Sequence, residues 1–182
     1  MANAVENVIT IRYPSLLLLI GPAASGKTTF ARKHFKPTEI LSSDFLRGML
    51  TDDENNQAIS GDVFALLHWI ASKRLAQERL TVIDATNVER SARKQLLDIA
   101  RKQNCPSVAI VFNLPEGLLL KRNLLRPERR LDPEVNRRQG ELLQLSLVTL
   151  PEEGFDHVYE LSTPEQIDKA TVQLSEIAPS AG

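Results

Sequence analysis

The sequence predicts an α/β fold, a mostly parallel sheet with helices on both faces, and two observations carry that prediction. Short apolar runs alternate with helix-patterned segments from end to end, the order that parallel strands with crossover helices require. The most apolar run, Leu16 to Ile20, passes directly into a glycine-bounded turn and then into helix-forming residues. Ligands in such sheets bind beyond the carboxyl ends of the strands, which directs attention to the residues after each strand.

Taken in order, residues 7–12 alternate in strand fashion before Pro14 and read as an edge strand or ordered tail. Residues 16–20 read as a buried strand, and a helix begins near Lys27 with Phe30, Ala31 and Phe35 as apolar contacts. Pro37 closes that helix; residues 39–43 form a second short strand, 45–50 a turn or two of helix, and 51–57 a polar surface loop. Ser60 is expected to cap a helix over about 61–78 whose face is Val63, Leu66, Leu67, Ile70, Ala71 and Leu75, with His68 and Trp69 in packing roles. A strand at 80–84, a helix at 89–103, a strand at 107–112 and a helix at 115–125 follow. Asp132 then caps a helix with Pro133 at its first position, running to about Leu150. Residues 158–161 are the last expected strand, Thr163-Pro164 opens a closing helix, and 178–182 should fray. No repeat, low-complexity tract or linker marks a boundary, so residues 1–182 are expected to form one domain.

Composition narrows the class. A formal net charge of −1 argues against a generally sticky nucleic-acid or membrane binder, so any polyanion site must be a local patch. One cysteine, Cys105, permits no internal disulfide and suits a reducing cytoplasm. The three histidines, His34, His68 and His157, lie in separate elements without zinc-ligand spacing. The first residues lack the basic start of a signal peptide, and the 16–20 run is too short to span a bilayer.

The turn after residue 20, Gly21-Pro22-Ala23-Ala24-Ser25-Gly26-Lys27-Thr28, fits the P-loop pattern G-x-x-x-x-G-K-S/T, with Thr29 continuing into the helix. Its glycines let backbone N–H groups converge on phosphate oxygens at a helix N-terminus. Lys27 would reach the β/γ-phosphates and the Thr28 hydroxyl would hold Mg²⁺, so the expected cofactors are ATP, or another nucleoside triphosphate, and Mg²⁺.

Beyond the second strand stands Asp44, with Arg47 one helical turn on, a carboxylate placed to accept a hydroxyl proton beside a cation. Asp84 ends the third main strand as a Walker-B acid does, with a strand-ending turn the equal reading. Thr86 and Asn87 are neutral groups at the same rim. The densest basic stretch, residues 121–132, puts Arg122 and Arg126 at i and i+4 before Pro127 and reads as an arginine-bearing lid over 122–133. Arg137 and Arg138 continue the patch, and contact with the base or ribose and plain solvent exposure are equal readings for them. The acidic run Asp52-Asp53-Glu54 reads as solvated.

Taken together, Gly21 to Thr28, Ser42-Ser43-Asp44-Phe45-x-Arg47, Asp84-Ala85-Thr86-Asn87 and Arg122-x-x-x-Arg126-Pro127 resemble the kinase module of bacterial polynucleotide kinase–phosphatases, the 5′-end-healing enzymes of RNA repair. The likeness runs from about Ser15 to Leu161 and includes residues 51–57 and Arg137-Arg138-Gln139. The resemblance implies transfer of a nucleoside triphosphate's γ-phosphate to the 5′-hydroxyl of RNA or DNA, with phosphatase or ligase modules of a repair system as partners. It implies Asp44 as general base and Arg47 on the phosphate next to the acceptor nucleoside. It also implies Lys27, Arg122 and Arg126 around the β/γ-phosphates, Thr28 on Mg²⁺, and Gln57 and Thr86 near the acceptor. Phosphatase and adenylyltransferase motifs of the full family protein are missing from this sequence, which reads as an excised module or a stand-alone kinase, and Ala24 stands where related P-loops often carry glycine. Two other readings remain: a kinase of a small hydroxylated metabolite or antibiotic, and a non-catalytic nucleotide-binding regulatory module. Arg47 favours a phosphate-bearing acceptor over the first, and Asp44 with the arginine pair argues against the second.

Overall fold

The Leu16–Ile20 run (β2) is the middle of a five-stranded parallel sheet in the computed structural model, which describes residues 8–126 and 131–176. The strand order is β3 (Ile40–Ser42), β4 (Thr81–Asp84), β2, β5 (Ser107–Phe112), β6 (His157–Leu161). Every residue of β2 is 0% exposed, which is why the run is apolar without alternation: both of its faces are covered. Leu16, Leu18 and Ile20 pack with Val63 and Leu67 of α3 (Ser60–Ala76), Leu96 and Ala100 of α4 (Arg90–Lys102) and Leu143 of α6 (Pro133–Thr149). Leu17 and Leu19 face the other way, toward Phe30 and Ala31 of α1 (Lys27–His34) and Ile9 and Ile11 of β1 (Val8–Tyr13). Helices thus lie on both sides of a parallel sheet, as the element order predicts. The remaining helices are α2 (Ser43–Thr51), α5 (Glu116–Leu124) and the short α7 (Pro164–Lys169).

The chain's end departs from expectation. The closing helix stops at Lys169, and Thr171–Glu176 form a seventh strand, β7, pairing in parallel with β1 in a separate two-stranded ribbon. Ile9 lies opposite Val172 and Ile11 opposite Leu174. The alternation of Val172 and Leu174 suits a strand, but a strand needs a partner, and this one comes from the opposite end of the sequence. The strand at the N-terminus is therefore real but belongs to this ribbon rather than to the main sheet.

Helix starts are mostly local. Asp132 Oδ1 accepts the Glu134 amide at 2.8 Å, as expected for a cap before Pro133. Ser60, expected as a cap, instead occupies the first position of α3, and its hydroxyl donates back to the Gln57 carbonyl at 2.8 Å. A short 3-10 turn over Gln57–Ile59, capped by the Asn56 side chain, takes over the cap's task. On α3, Val63, Leu67, Ala71 and Leu75 are buried as the periodicity predicts, whereas Trp69 is 61% exposed, with Lys73 Nζ 5.8 Å from its ring centroid. Cys105 is half-buried, and burial raises its thiol to about 11, consistent with a packing role. Among the described residues no helix is long and apolar enough to cross a membrane.

Candidate active site

The P-loop leaves β2 through a turn that only glycine fits. A Cβ on Gly21 would lie 2.9 Å from the Phe112 carbonyl oxygen and 3.0 Å from Ser25 Oγ. Its amide donates to the Thr86 carbonyl at 2.9 Å, fastening the loop's first residue to the rim after β4. Gly26, at φ 102, supplies the left-handed step into α1. Ala24 also sits at a positive φ, 66, which alanine adopts at a cost. Lys27, 7% exposed, folds back under the loop: its ammonium donates to the carbonyls of Gly21 at 2.8 Å and Pro22 at 2.7 Å and to Ser25 Oγ at 3.3 Å. Burial lowers its pKa to about 8, against the opposing pull of Asp84 and Asp44. Gly21 and Pro22 thus hold the lysine through their carbonyls and do not face the cavity.

Thr28, on the first turn of α1, donates its hydroxyl to Asp84 Oδ2 at 2.8 Å. Asp84 is 4% exposed at the end of β4, and burial raises its pKa despite Lys27 and that hydrogen bond. A buried carboxylate and a hydroxyl in contact are hard oxygen donors of the kind Mg²⁺ takes, beside a loop shaped for phosphates. No group of three or more His, Cys, Asp or Glu side chains suited to a metal occurs among the described residues.

Asp44 and Arg47 meet as the helical spacing predicts. Ser42 caps α2 by accepting the Phe45 amide at 3.3 Å, which places Asp44 in the first turn. Arg47 Nη1 then lies 2.8 Å from Asp44 Oδ1 and 3.5 Å from the Glu54 carbonyl. The arginine is 4% exposed, the carboxylate's side chain 45%. A cavity of about 380 Å³ gathers Lys27, Thr28, Asp44, Arg47, Asp84 and Arg126 on one wall system, together with Ala23, Ala24, Gly26, Thr29, Gln57 and Thr86.

Arg122 takes a different place. It lines a neighbouring cavity of about 280 Å³ with Ser25, Lys33 and the α7 residues Pro164 and Ile167, on the other side of Gly26, while Arg126 borders both cavities. The i, i+4 reading holds through α5 only as far as Leu124, after which Arg126 follows a tightened turn. Of the expected lid over 122–133, residues 127–130 lie outside the described part, as do the expected fraying residues 178–182. Arg137 pairs with Glu134 at 2.7 Å and Glu116 at 3.1 Å on an exposed surface.

Two sets of contacts around the site escape sequence inspection, although Gln139 falls within the family likeness and Asn87 is named at the rim. From α6, Gln139 Oε1 accepts the Ala23 amide at 2.8 Å and Asn136 Nδ2 donates to the Ala23 carbonyl at 3.0 Å. Their signal is faint but present: Asn136 occupies the same stripe of α6 as the buried Leu143, a polar residue where the helix packs inward. Behind the rim, Arg93 is 0% exposed and donates to both Glu153 carboxylate oxygens, at 2.7 and 2.6 Å, and to the Asn87 carbonyl at 2.9 Å. Asn87, at φ 49, donates its own side-chain amide to Leu19 O at 2.8 Å. That network fixes the backbone carrying Thr86. Arg93 shares a helix face with Leu96, Leu97 and Ala100, at i+3, i+4 and i+7, which hints at burial, but the sequence does not reveal its partner Glu153.

The AAA domain family matches residues 16–149, most of the described fold and all of the residues above except Glu153 and those of α7. The chain belongs to this family. Solved structures show the same P-loop kinase-like fold. The chain is similar to one in the Pnkp1/Rnl/Hen1 RNA repair complex, with TM-score 0.62 and 26% identity, over 76% of this chain and 47% of that one, so it spans about half that protein's length. It is similar in fold to Chaetomium thermophilum Kti12 in complex with ADP-AlF3, with TM-score 0.58, 19% identity and coverage of 85% and 94%. A gluconokinase from Sinorhizobium meliloti aligns with TM-score 0.53 and 18% identity over 87% of this chain and 90% of that one. No curated protein matches the sequence.

Proposed function

We propose that this chain is a 5′-hydroxyl polynucleotide kinase, transferring the γ-phosphate of ATP or another nucleoside triphosphate to the 5′-end of RNA or DNA. The observation that carries the reading is the Asp44–Arg47 pair in the same cavity as Lys27, Thr28 and Asp84. A binding module needs a P-loop but no carboxylate facing it. A kinase of a neutral metabolite needs the carboxylate but gains nothing from a nearly buried guanidinium beside it. An acceptor whose hydroxyl is followed by a phosphodiester uses both. The similarity to the RNA repair complex, at 26% identity, supports the same choice.

In this scheme the P-loop amides and Lys27 hold the β- and γ-phosphates, and Arg126 faces the transferring group from the lid side. Thr28 and Asp84 would hold Mg²⁺, which would supply charge neutralisation on the phosphate oxygens. Asp44 takes the proton from the 5′-hydroxyl as its oxygen bonds to the γ-phosphorus and the bridging bond to the β-phosphate breaks, releasing ADP. Arg47 seats the phosphate that follows the acceptor nucleoside, with Gln57 and Thr86 lining the acceptor end of the cavity. Phosphatase or ligase modules of an RNA repair system would be the partners that use or supply such ends.

The test is end labelling of a short 5′-hydroxyl oligonucleotide from γ-labelled ATP with Mg²⁺, with gluconate and a nucleoside as small acceptors in parallel. Label is expected on the oligonucleotide, reduced on the order of 100-fold or more in Asp44→Asn. Arg47→Ala should raise the oligonucleotide KM while sparing ATP hydrolysis. Label on a small acceptor alone would refute the polynucleotide assignment.

A further inference from the structure

We infer that Asn136 and Gln139 are positioning residues for the triphosphate: α6 holds the tip of the P-loop in its phosphate-binding shape from outside, in place of a glycine. The inference rests on the nucleotide-binding half of the proposed function and is independent of the acceptor. Both backbone polar groups of Ala23 are taken by side chains of one helix, the amide by Gln139 and the carbonyl by Asn136. The next residue, Ala24, holds φ 66, a conformation glycine enters freely and alanine resists. A loop tip of this kind in water would relax toward ordinary backbone, and the two hydrogen bonds from α6 fix the preceding peptide so that it does not.

The cost borne by Asn136 points the same way. It is 1% exposed, and its Oδ1 has no hydrogen-bond partner, although a buried carbonyl oxygen is expensive to leave unpaired. An apolar side chain would pack this stripe of α6 without that penalty, so the asparagine is explained by what its Nδ2 does at Ala23. The placement also links parts. α6, capped by Asp132, follows α5 in the chain, and α5 brings Arg122 Nη1 to 3.9 Å from where a Cβ on Gly26 would be, so the two helices border the P-loop at Ala23 and at Gly26.

Three measurements on the full chain test this. Titration of ATP with Mg²⁺ by calorimetry should show affinity lower by about tenfold in Asn136→Ala/Gln139→Ala, the scale of two lost hydrogen bonds. Ala24→Gly should raise affinity at least about threefold more in the double variant than in the wild type, because glycine removes the need for the clamp. Hydrogen exchange at the Ala23 amide, without nucleotide, should quicken about tenfold or more in Gln139→Ala, a half-buried site where truncation is tolerated. Unchanged or tighter ATP binding in the double variant overturns the inference, and so does an Ala24→Gly effect equal in both backgrounds. An exchange rate at Ala23 unaffected by Gln139→Ala overturns it as well. If the wild type bound no ATP, the nucleotide reading would fall, while the exchange measurement would still decide whether the clamp exists.

Discussion

Replacing Arg93 by methionine tests how the rim of the cavity is held. The substitution removes three hydrogen bonds of 2.6 to 2.9 Å from a side chain that is 0% exposed. It strands the Glu153 carboxylate, whose side chain is 3% exposed, and leaves the Asn87 carbonyl without its donor. Breaking one side of a buried pair costs about 3–5 kcal/mol. For a chain of this size that corresponds to a fall in Tm of about 6–20 °C, at about 2–4 °C per kcal/mol. Arg93→Met/Glu153→Met removes both charges, and part of the loss should return, with about 1–3 kcal/mol remaining for the unpaired Asn87 carbonyl. Thermal and urea unfolding followed by circular dichroism measure all three proteins. A single-variant loss below about 1 kcal/mol, or a double variant less stable than the single, would refute the assignment of this pair as the rim's anchor. The pair also has a pH signature. Burial alone would raise the Glu153 carboxyl, but hydrogen bonds from Arg93 and Thr149 bring it below its ordinary value. A carboxyl lowered in the folded state contributes stability that is complete above about pH 4.5 and lost as pH falls through the folded value. Acid should therefore narrow the gap between wild type and the double variant.

Two further outcomes follow from the P-loop itself. Lys27, lowered to about 8 in the empty loop, should bind the triphosphate as its cation; nucleotide affinity is expected to fall as pH rises above about 8, with proton uptake on binding, and Lys27→Met should abolish that dependence in calorimetry run in buffers of different ionisation heat. Gly21→Ala must push its new methyl against the Phe112 carbonyl at 2.9 Å, so ATP binding should be lost along with several degrees of Tm; retention of both would show that the turn can move without consequence.

Much of this protein is legible in its residues because the relevant physics is local. The buried Leu16–Ile20 strand, the glycine turn, the Asp132 cap before Pro133 and the Asp44–Arg47 pairing at i, i+3 each depend on a few neighbouring positions, and each stands where the pattern puts it. Asp84 is legible as a strand-end acid with a strand-ending turn as the equal reading, and it is the pairing of β4 with β2 that sets it against Thr28.

What the sequence could not decide depends on partners distant along the chain. β7 is a strand because β1 lies beside it, and six residues of mild alternation do not announce that pairing. Arg122 and Arg126 share a helical spacing, yet α7 closes a second cavity around one and leaves the other bordering both. Arg93 lies on the apolar face of its helix with Leu96, Leu97 and Ala100 and is sealed against Glu153, whereas Arg137 is exposed; the spacing hints at the burial, but only packing supplies the carboxylate. The sequence by itself determined the strand order's raw material and the phosphate loop, whereas the tertiary structure alone decided which polar side chains hold that loop in shape. Hydrogen bonds between residues more than a hundred positions apart, such as those from α6 to Ala23, leave no periodic trace in either segment.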